Sequence, residues 1–174
     1  MCLTLYYMIA IDSSSLILLA KLSILDKFLQ NLKTKLVITD EVGMECVLKD
    51  TFDAKIIKKR IKEEIINKKR INDRNICNKI MEDFNVGKGE AETIALCLEN
   101  KLDIITDDKK AINACRVLKI KFTTIPNILM GMFRKNIITK SQAETYAVKL
   151  ERIGRYKKEI IEKIKEDIKN DKNE

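Results

Sequence analysis

Short runs of apolar residues, separated by longer amphipathic stretches, dominate the pattern of this chain. Residues 8–11 are apolar on both faces, as a strand buried in a parallel sheet should be, and residues 36–38, 104–105 and 122–124 form similar runs. Elsewhere, apolar positions recur with helical spacing. This spacing predicts helices over 16–20, 23–31, 39–49, 53–85, 90–99 and 108–118, and from 126 to near the end.

The order of these elements predicts an α/β fold. Strands that alternate with helices form parallel sheets with crossover helices, so we expect a helix-rich three-layer α/β/α sandwich with a short central parallel sheet of four to five strands. A length of 174 residues suits one hydrophobic core. We assign residues 8–135 to the domain, with a basic helical segment over 53–85. Residues 136–174 are predicted to be a C-terminal helical extension, packed on the domain or used for oligomerisation.

The composition excludes several classes of chemistry. The chain has no histidine, which rules out histidine general bases, Ser-His-Asp and Cys-His nucleophile systems, and zinc sites that need imidazole. Its five cysteines form no CxxC pair. An odd number of cysteines, in a lysine-rich chain without a recognisable secretion signal, predicts a cytoplasmic protein. Since no apolar run reaches the ~20 residues of a membrane helix, we expect no membrane association.

Acidic residues follow the predicted strands directly. Asp12 comes after the first strand, and Asp107 and Asp108 come after the third. Functional sites in open parallel sheets lie beyond the carboxyl ends of the strands. Glu45, in the helix after the second strand, would lie at the same edge.

Two further acids, Glu90 and Glu92, begin a helix after Gly87-Lys88-Gly89. Any one of the acids could simply cap a helix or offset its dipole. Four or more clustered carboxylates would repel one another unless a hard divalent cation lay between them. Oxygen ligands alone favour Mg²⁺ or Mn²⁺ over zinc.

Four segments, in this order, resemble the PIN domain, the nuclease fold of VapC-like toxins and PilT N-terminus-type ribonucleases. They are MIAIDSS (8–14), ITDEVGME (38–45), GKGEAETIAL (87–96) and IITDDKKA (104–111), and the resemblance covers about residues 8–135. It implies a set of catalytic acids that bind Mg²⁺ or Mn²⁺: Asp12, Glu45, one or both of Glu90 and Glu92, and Asp108, with Asp107 as an accessory ligand.

The resemblance also implies hydrolysis of phosphodiester bonds with one or two metal ions. We therefore expect a metal-dependent endoribonuclease acting on single-stranded or structured RNA, with single-stranded DNA as an alternative substrate and a toxin of a toxin–antitoxin pair as one biological role. Thr106 and Ser13 are candidates to hydrogen-bond the carboxylates or a substrate phosphate. The alternative is a non-catalytic PIN-like module that binds RNA or acts as a scaffold.

The charge distribution favours a nucleic-acid partner. The net charge is +8, which indicates a polyanionic partner, although richness in Lys and Glu is also typical of thermophile proteins. Isoleucines at 56, 57, 61, 65 and 66 have helical spacing, so the basic residues between them would face solvent. We predict that nucleic acid contacts Lys55, Lys58, Lys59, Lys62 and Lys109. A merely solvated helix is the alternative.

The C-terminal residues 139–171 carry apolar side chains at close to a 3.5-residue period. These are Leu150, Ile153, Ile160, Ile164 and Ile168. Such a helix either packs on its own domain or binds another chain. We predict a homodimer, with an antitoxin-like protein as a further candidate partner.

Overall fold

A sheet of short parallel strands lies at the centre of the fold. The structure is a computed structural model that describes residues 7–154 and 156–170. Within them the strands are β1 (Met8–Ile11), β2 (Lys35–Ile38), β3 (Ile66–Lys68), β4 (Asp103–Ile105) and β5 (Phe122–Thr123). Their spatial order is β3-β2-β1-β4-β5, and every neighbouring pair is parallel.

Helices cover both faces of this sheet. One core contains Ile11 and Ile105 together with the first four and last three helices, and the other contains Ala10 and Ile104 with the remaining three. Because successive strand residues point to opposite faces, β1, β2 and β4 contribute buried apolar side chains to both cores. The predicted three-layer sandwich is confirmed. The helices are α1 (Ser13–Lys21), α2 (Leu25–Asn31), α3 (Asp40–Val47), α4 (Phe52–Lys62), α5 (Arg74–Phe84), α6 (Lys88–Asn100), α7 (Lys109–Val117), α8 (Ile125–Arg134), α9 (Lys140–Ile153) and α10 (Lys158–Asn170).

The segment 53–85 is not one continuous helix, and that prediction was wrong. α4 ends at Lys62, Glu64 adopts the left-handed conformation with φ 55°, and Ile66 begins the edge strand β3 opposite Leu36. Ile66 is 1% exposed whereas Ile65 is 43% exposed. The isoleucine spacing was interpreted as helical, but Ile65 and Ile66 belong to an extended chain, in which neighbouring residues point to opposite sides. A strand of three residues is too short to show its own period in the sequence.

The C-terminal residues form two helices, where the sequence pattern suggested one. Leu150, Ile164 and Ile168 are buried in the same core as α1. Ile153 and Ile160, on either side of the break between α9 and α10, are each 42% exposed. The two helices therefore pack on their own chain, and the break between them interrupts the apparent heptad pattern.

The cysteines and the helix lengths bear on the expectations drawn from composition. Cys46, Cys77, Cys97 and Cys115 are free and buried. Burial raises the pKa of the Cys46 thiol to about 12 and that of Cys115 to about 11, so neither is a reactive thiolate. Cys2 lies outside the described residues. In the described part of the chain, no helix has the length and apolar character that crossing a membrane requires.

Candidate active site

The strand order brings the predicted acids to one edge of the sheet. β1 lies between β2 and β4, and Asp12 donates its backbone N–H to the Ile105 carbonyl at 3.2 Å. Asp12 is therefore adjacent to the segment that carries Asp107 and Asp108. On the other side of β1, the chain leaves β2 for α3 and Glu45.

Asp12 is a buried residue, with 1% of its surface exposed. Its Oδ1 caps α1 by accepting hydrogen bonds from the Ser15 N–H at 2.7 Å and the Ser14 hydroxyl at 2.9 Å. Its Oδ2 is also buried, and no group among the described residues donates a hydrogen bond to it. Burying a carboxylate oxygen without a donor is costly. Helix capping explains Oδ1 but not Oδ2.

Asp107 is linked to Asp12 through Ser15. The Asp107 carboxylate accepts hydrogen bonds from the Ile125 N–H, at 3.2 and 3.3 Å, and from the Ser15 hydroxyl at 3.4 Å. Burial raises the pKa of Asp107 to about 6; hydrogen bonding opposes that rise and the Asp12 charge adds to it. Ser15 is 0% exposed. It was not among the sequence candidates, because its role depends on two acids meeting across the sheet.

Tyr156 lies against the same carboxylate. It belongs to the turn between α9 and α10, and burial together with the Asp107 charge raises the pKa of its phenol. Its hydroxyl oxygen is buried, yet within residues 7–154 and 156–170 no acceptor meets it in hydrogen-bonding geometry. Asp107 acts on this phenol more strongly than Asp12 does, so Asp107 is the candidate acceptor for the hydroxyl.

Asp108 repeats the arrangement of Asp12 on the neighbouring strand. Its Oδ1 caps α7 by accepting hydrogen bonds from the Lys110 N–H at 2.8 Å and the Ala111 N–H at 2.9 Å. The backbone N–H of Asp108 is donated to the hydroxyl of buried Thr106 at 3.3 Å. Each aspartate therefore caps a helix through Oδ1 alone. Capping does not use Oδ2, so it does not exclude a role as a metal ligand.

Glu90 and Glu45 complete the cluster from the helices. Burial raises the pKa of Glu90, and the charges of Asp12, Glu45 and Asp108 add to the effect. Two glycines make room for these carboxylates. A Cβ at Gly87 would lie 2.5 Å from Glu90 Oε2, and a Cβ at Gly89 would lie 2.7 Å from both oxygens of Glu45.

Glu92 is not brought to this cluster. Two residues along a helix correspond to a rotation of about 200°, so Glu92 points away from the face that carries Glu90. It lines a separate depression with Arg74 and Lys88, and its charge contributes to the raised pKa of Cys77, of which burial is the main cause. Of the two alternatives, the structure groups Glu90 with the other acids.

A cleft of about 740 Å³ opens beside the acids. Glu90, Asp107 and Asp108 lie in its wall, together with Lys109, Lys110, Lys21 and Ser14. Lys109 was predicted to contact nucleic acid, while Lys21 and Lys110 were not. The position of Lys21 in the cleft could have been predicted from the sequence, because positions 14, 18 and 21 share one face of α1.

The lysines predicted on α4 lie elsewhere. Lys55, Lys58, Lys59 and Lys62 are exposed on this outer helix and do not line the cleft. Lys55 is paired with Asp50 at 3.1 Å, and Lys59 lies 3.9 Å from Glu63. Exposed pairs of this kind are weak, so they leave the lysines available to a polyanion.

The acids fit a hard divalent cation in their chemistry, although they do not form a finished coordination sphere. In residues 7–154 and 156–170, no group of three or more His, Cys, Asp or Glu side chains has the arrangement of a metal site. Nevertheless, Asp12 Oδ2 is buried beside other carboxylates. An ion there would supply the missing partner and offset the repulsion that, in addition to burial, raises the pKa of Glu90 and Asp107.

Comparison with known proteins identifies the fold family. A family model described as DUF3368, a PIN domain, matches residues 8–170. The chain belongs to the PIN-domain family. This PIN domain is also similar in structure to PAE2754 from Pyrobaculum aerophilum, with a TM-score of 0.52 and 14% sequence identity over 74% of this chain and 96% of that chain. A search of curated proteins gave no match.

Family membership agrees with the fold and with the resemblance seen in the four sequence segments. PIN domains are mostly metal-dependent nucleases and generally bind Mg²⁺ or Mn²⁺. The likeness to PAE2754 concerns the fold alone.

Proposed function

We propose that this PIN domain is a metal-dependent endoribonuclease whose acids hold Mg²⁺ or Mn²⁺. The observation that carries the proposal is Asp12 Oδ2, a buried oxygen that lacks a donor in the described part of the chain. It lies where the charges of Asp107 and Glu90 also act. Family membership supports the same activity.

The acids divide into ligands and supporting groups. Asp12 and Asp108, each held by bonds to Oδ1, would be inner ligands, and Glu45 and Glu90 would complete the set. Asp107, which already accepts hydrogen bonds, would orient its neighbours. When bound, a divalent cation supplies Lewis-acid activation of the phosphate and of water. Because the chain has no histidine, a carboxylate or solvent has to accept the proton released in hydrolysis.

The cleft offers a path for the nucleic acid. Lys109 and Lys110 lie beside the acids and would bind phosphates next to the scissile bond, with Lys21 further along. Such contacts are independent of sequence and sensitive to salt. Only 5% of residues are aromatic and none is tryptophan, so base stacking is a minor contribution. The lysines of α4 are proposed as an outer contact surface.

The test is cleavage of end-labelled single-stranded RNA, structured RNA and single-stranded DNA with Mg²⁺ or Mn²⁺. We expect internal cuts in RNA that disappear with chelator and with Asp12→Asn, while the exposed-site control Asp83→Asn cuts like the parent. RNA bound but uncut at millimolar metal would favour the non-catalytic module. The homodimer, the antitoxin-like partner and the toxin role remain predictions.

A further inference from the structure

The end of α9 and the start of the turn after it lie beside the acidic edge of the sheet. Ile153 and Gly154 line the same cleft as Asp107 and Asp108. The two C-terminal helices are buried in the core that also holds α1 and α8. The C-terminal part of the chain therefore contributes directly to the surroundings of the acids.

Tyr156 is fixed in this turn by close packing. Its ring packs against the core that α8, α9 and α10 share. A Cβ at Gly154 would lie 2.5 Å from the ring carbon Cδ2 and 2.8 Å from the Leu150 carbonyl oxygen. Glycine at 154 is thus required for the ring to lie where it does, and the phenol oxygen is held in a buried position.

The buried hydroxyl of Tyr156 needs an acceptor. An unpaired buried hydroxyl is unfavourable, and a phenol is protonated at neutral pH, so it can donate. Asp107 lies in the wall of the same cleft as Ile153 and Gly154, and its charge acts more strongly on this phenol than that of Asp12. Its bonds from Ile125 and Ser15 leave capacity for another donor, because a carboxylate accepts about four hydrogen bonds.

We propose that Tyr156 is a positioning residue that donates a hydrogen bond from its hydroxyl to Asp107. Asp107 would then be held by three elements at once: α1 through Ser15, the start of α8 through Ile125, and the C-terminal turn through Tyr156. Since the Ser15 N–H also binds Asp12 Oδ1, a displaced Asp107 would shift the Asp12 carboxylate and with it Oδ2, the oxygen that the proposed cation needs. This inference rests on the proposed function for its catalytic consequence, but not for the hydrogen bond itself.

The first test measures the hydrogen bond without metal or substrate. Tyr156→Phe, Asp107→Asn and the double variant are unfolded with urea in the presence of chelator, beside a matched control. Tyr146→Phe removes the same hydroxyl from α9, where the ring faces Lys149. We expect Tyr156→Phe to lower the urea midpoint in the parent and to lower it much less in the Asp107→Asn background. Equal shifts of the urea midpoint in both backgrounds, or no shift in the parent, would show that this hydrogen bond does not form.

The second test measures what the bond does for the site. By calorimetry, Tyr156→Phe should weaken Mn²⁺ binding by about 10-fold, a typical effect of losing a group that supports a metal ligand, while Tyr146→Phe binds like the parent. In RNA cleavage, kcat should fall with KM unchanged, because the proposed role of Tyr156 is to hold Asp107 and not to bind the nucleic acid. Unchanged Mn²⁺ affinity, or a change in KM alone, would refute the positioning role. If the parent itself binds no Mn²⁺, the proposed function fails. The Tyr156–Asp107 hydrogen bond is then tested by the urea-unfolding measurements alone.

Discussion

Replacing Asp107 with Asn should alter how the stability of the metal-free protein depends on pH. In the unfolded chain this carboxyl has its ordinary pKa of 3.8, and burial in the fold raises the pKa to about 6. Between these values the folded protein retains a proton that the unfolded chain releases. The stabilising contribution of protonated Asp107 is therefore complete below about pH 3.8 and is lost as the pH rises through about 6.

The magnitude follows from the same two pKa values. One pKa unit corresponds to about 1.4 kcal/mol, so the rise from 3.8 to about 6 sets a ceiling of about 3 kcal/mol. Because the side chain is only partly buried, water screens its charge, and we expect about 1–2 kcal/mol. The parent should lose this much stability, relative to Asp107→Asn, between pH 4.5 and pH 7.5.

Urea unfolding in chelator, followed by circular dichroism at several pH values, measures this difference. Taking the parent minus the variant cancels the titration of groups that both proteins share. Asp83→Asn, at an exposed position on α5, is the matched control and should run parallel to the parent. A gap between parent and Asp107→Asn that is constant with pH would refute the assigned burial and repulsion at Asp107.

Three further predictions test the ligands, the glycines and the cleft. Asp12→Asn should abolish cleavage while raising the metal-free melting temperature by a few degrees, because it removes a buried charge that has no donor on Oδ2 within the described residues; a clear loss of stability in chelator would contradict this. Gly89→Ala should reduce metal affinity and cleavage, because the added Cβ displaces Glu45. In the control Gly131→Ala nothing lies within 4 Å of the added Cβ, and the change should stabilise its helix by about 0.5–1 kcal/mol. Equal metal affinity in the two variants would show that the space beside Gly89 is not needed to place Glu45. Changing the three cleft lysines to Gln should reduce the slope of log RNA affinity against log salt concentration by about 0.7–0.9 per lost phosphate contact, as measured by filter binding. Changing the α4 set should reduce this slope less. Identical slopes for both sets would argue against RNA binding along the cleft. The cleft set is Lys21, Lys109 and Lys110, and the α4 set is Lys58, Lys59 and Lys62.

The strand ends were predictable because two local signals agree there. Residues 8–11 are uniformly apolar and are followed at once by Asp12, and the same pattern recurs before Asp107. Short buried strands with polar residues at their carboxyl ends identify the edge where a parallel sheet carries its site. The acids could therefore be grouped before the strand order was known.

Other parts depend on contacts that local patterns do not encode. Whether Glu90 or Glu92 faces the site depends on how α6 is rotated against α3. β3 is short and lies in a segment rich in isoleucine, where helical and extended spacing coincide. Ser15 and Tyr156 gain their roles only when α1 and the C-terminal turn meet Asp107, and nothing near them in the sequence signals that meeting.

The most direct test of the central claim is a calorimetric titration of the parent and Asp12→Asn with Mn²⁺, followed by thermal melts of the same samples. We predict that the parent binds Mn²⁺ and that its melting temperature rises with metal concentration, as linkage requires. Asp12→Asn should lose most of the heat and most of that rise. A parent protein that shows neither heat nor a thermal shift at millimolar Mn²⁺, even with RNA present, would contradict the account.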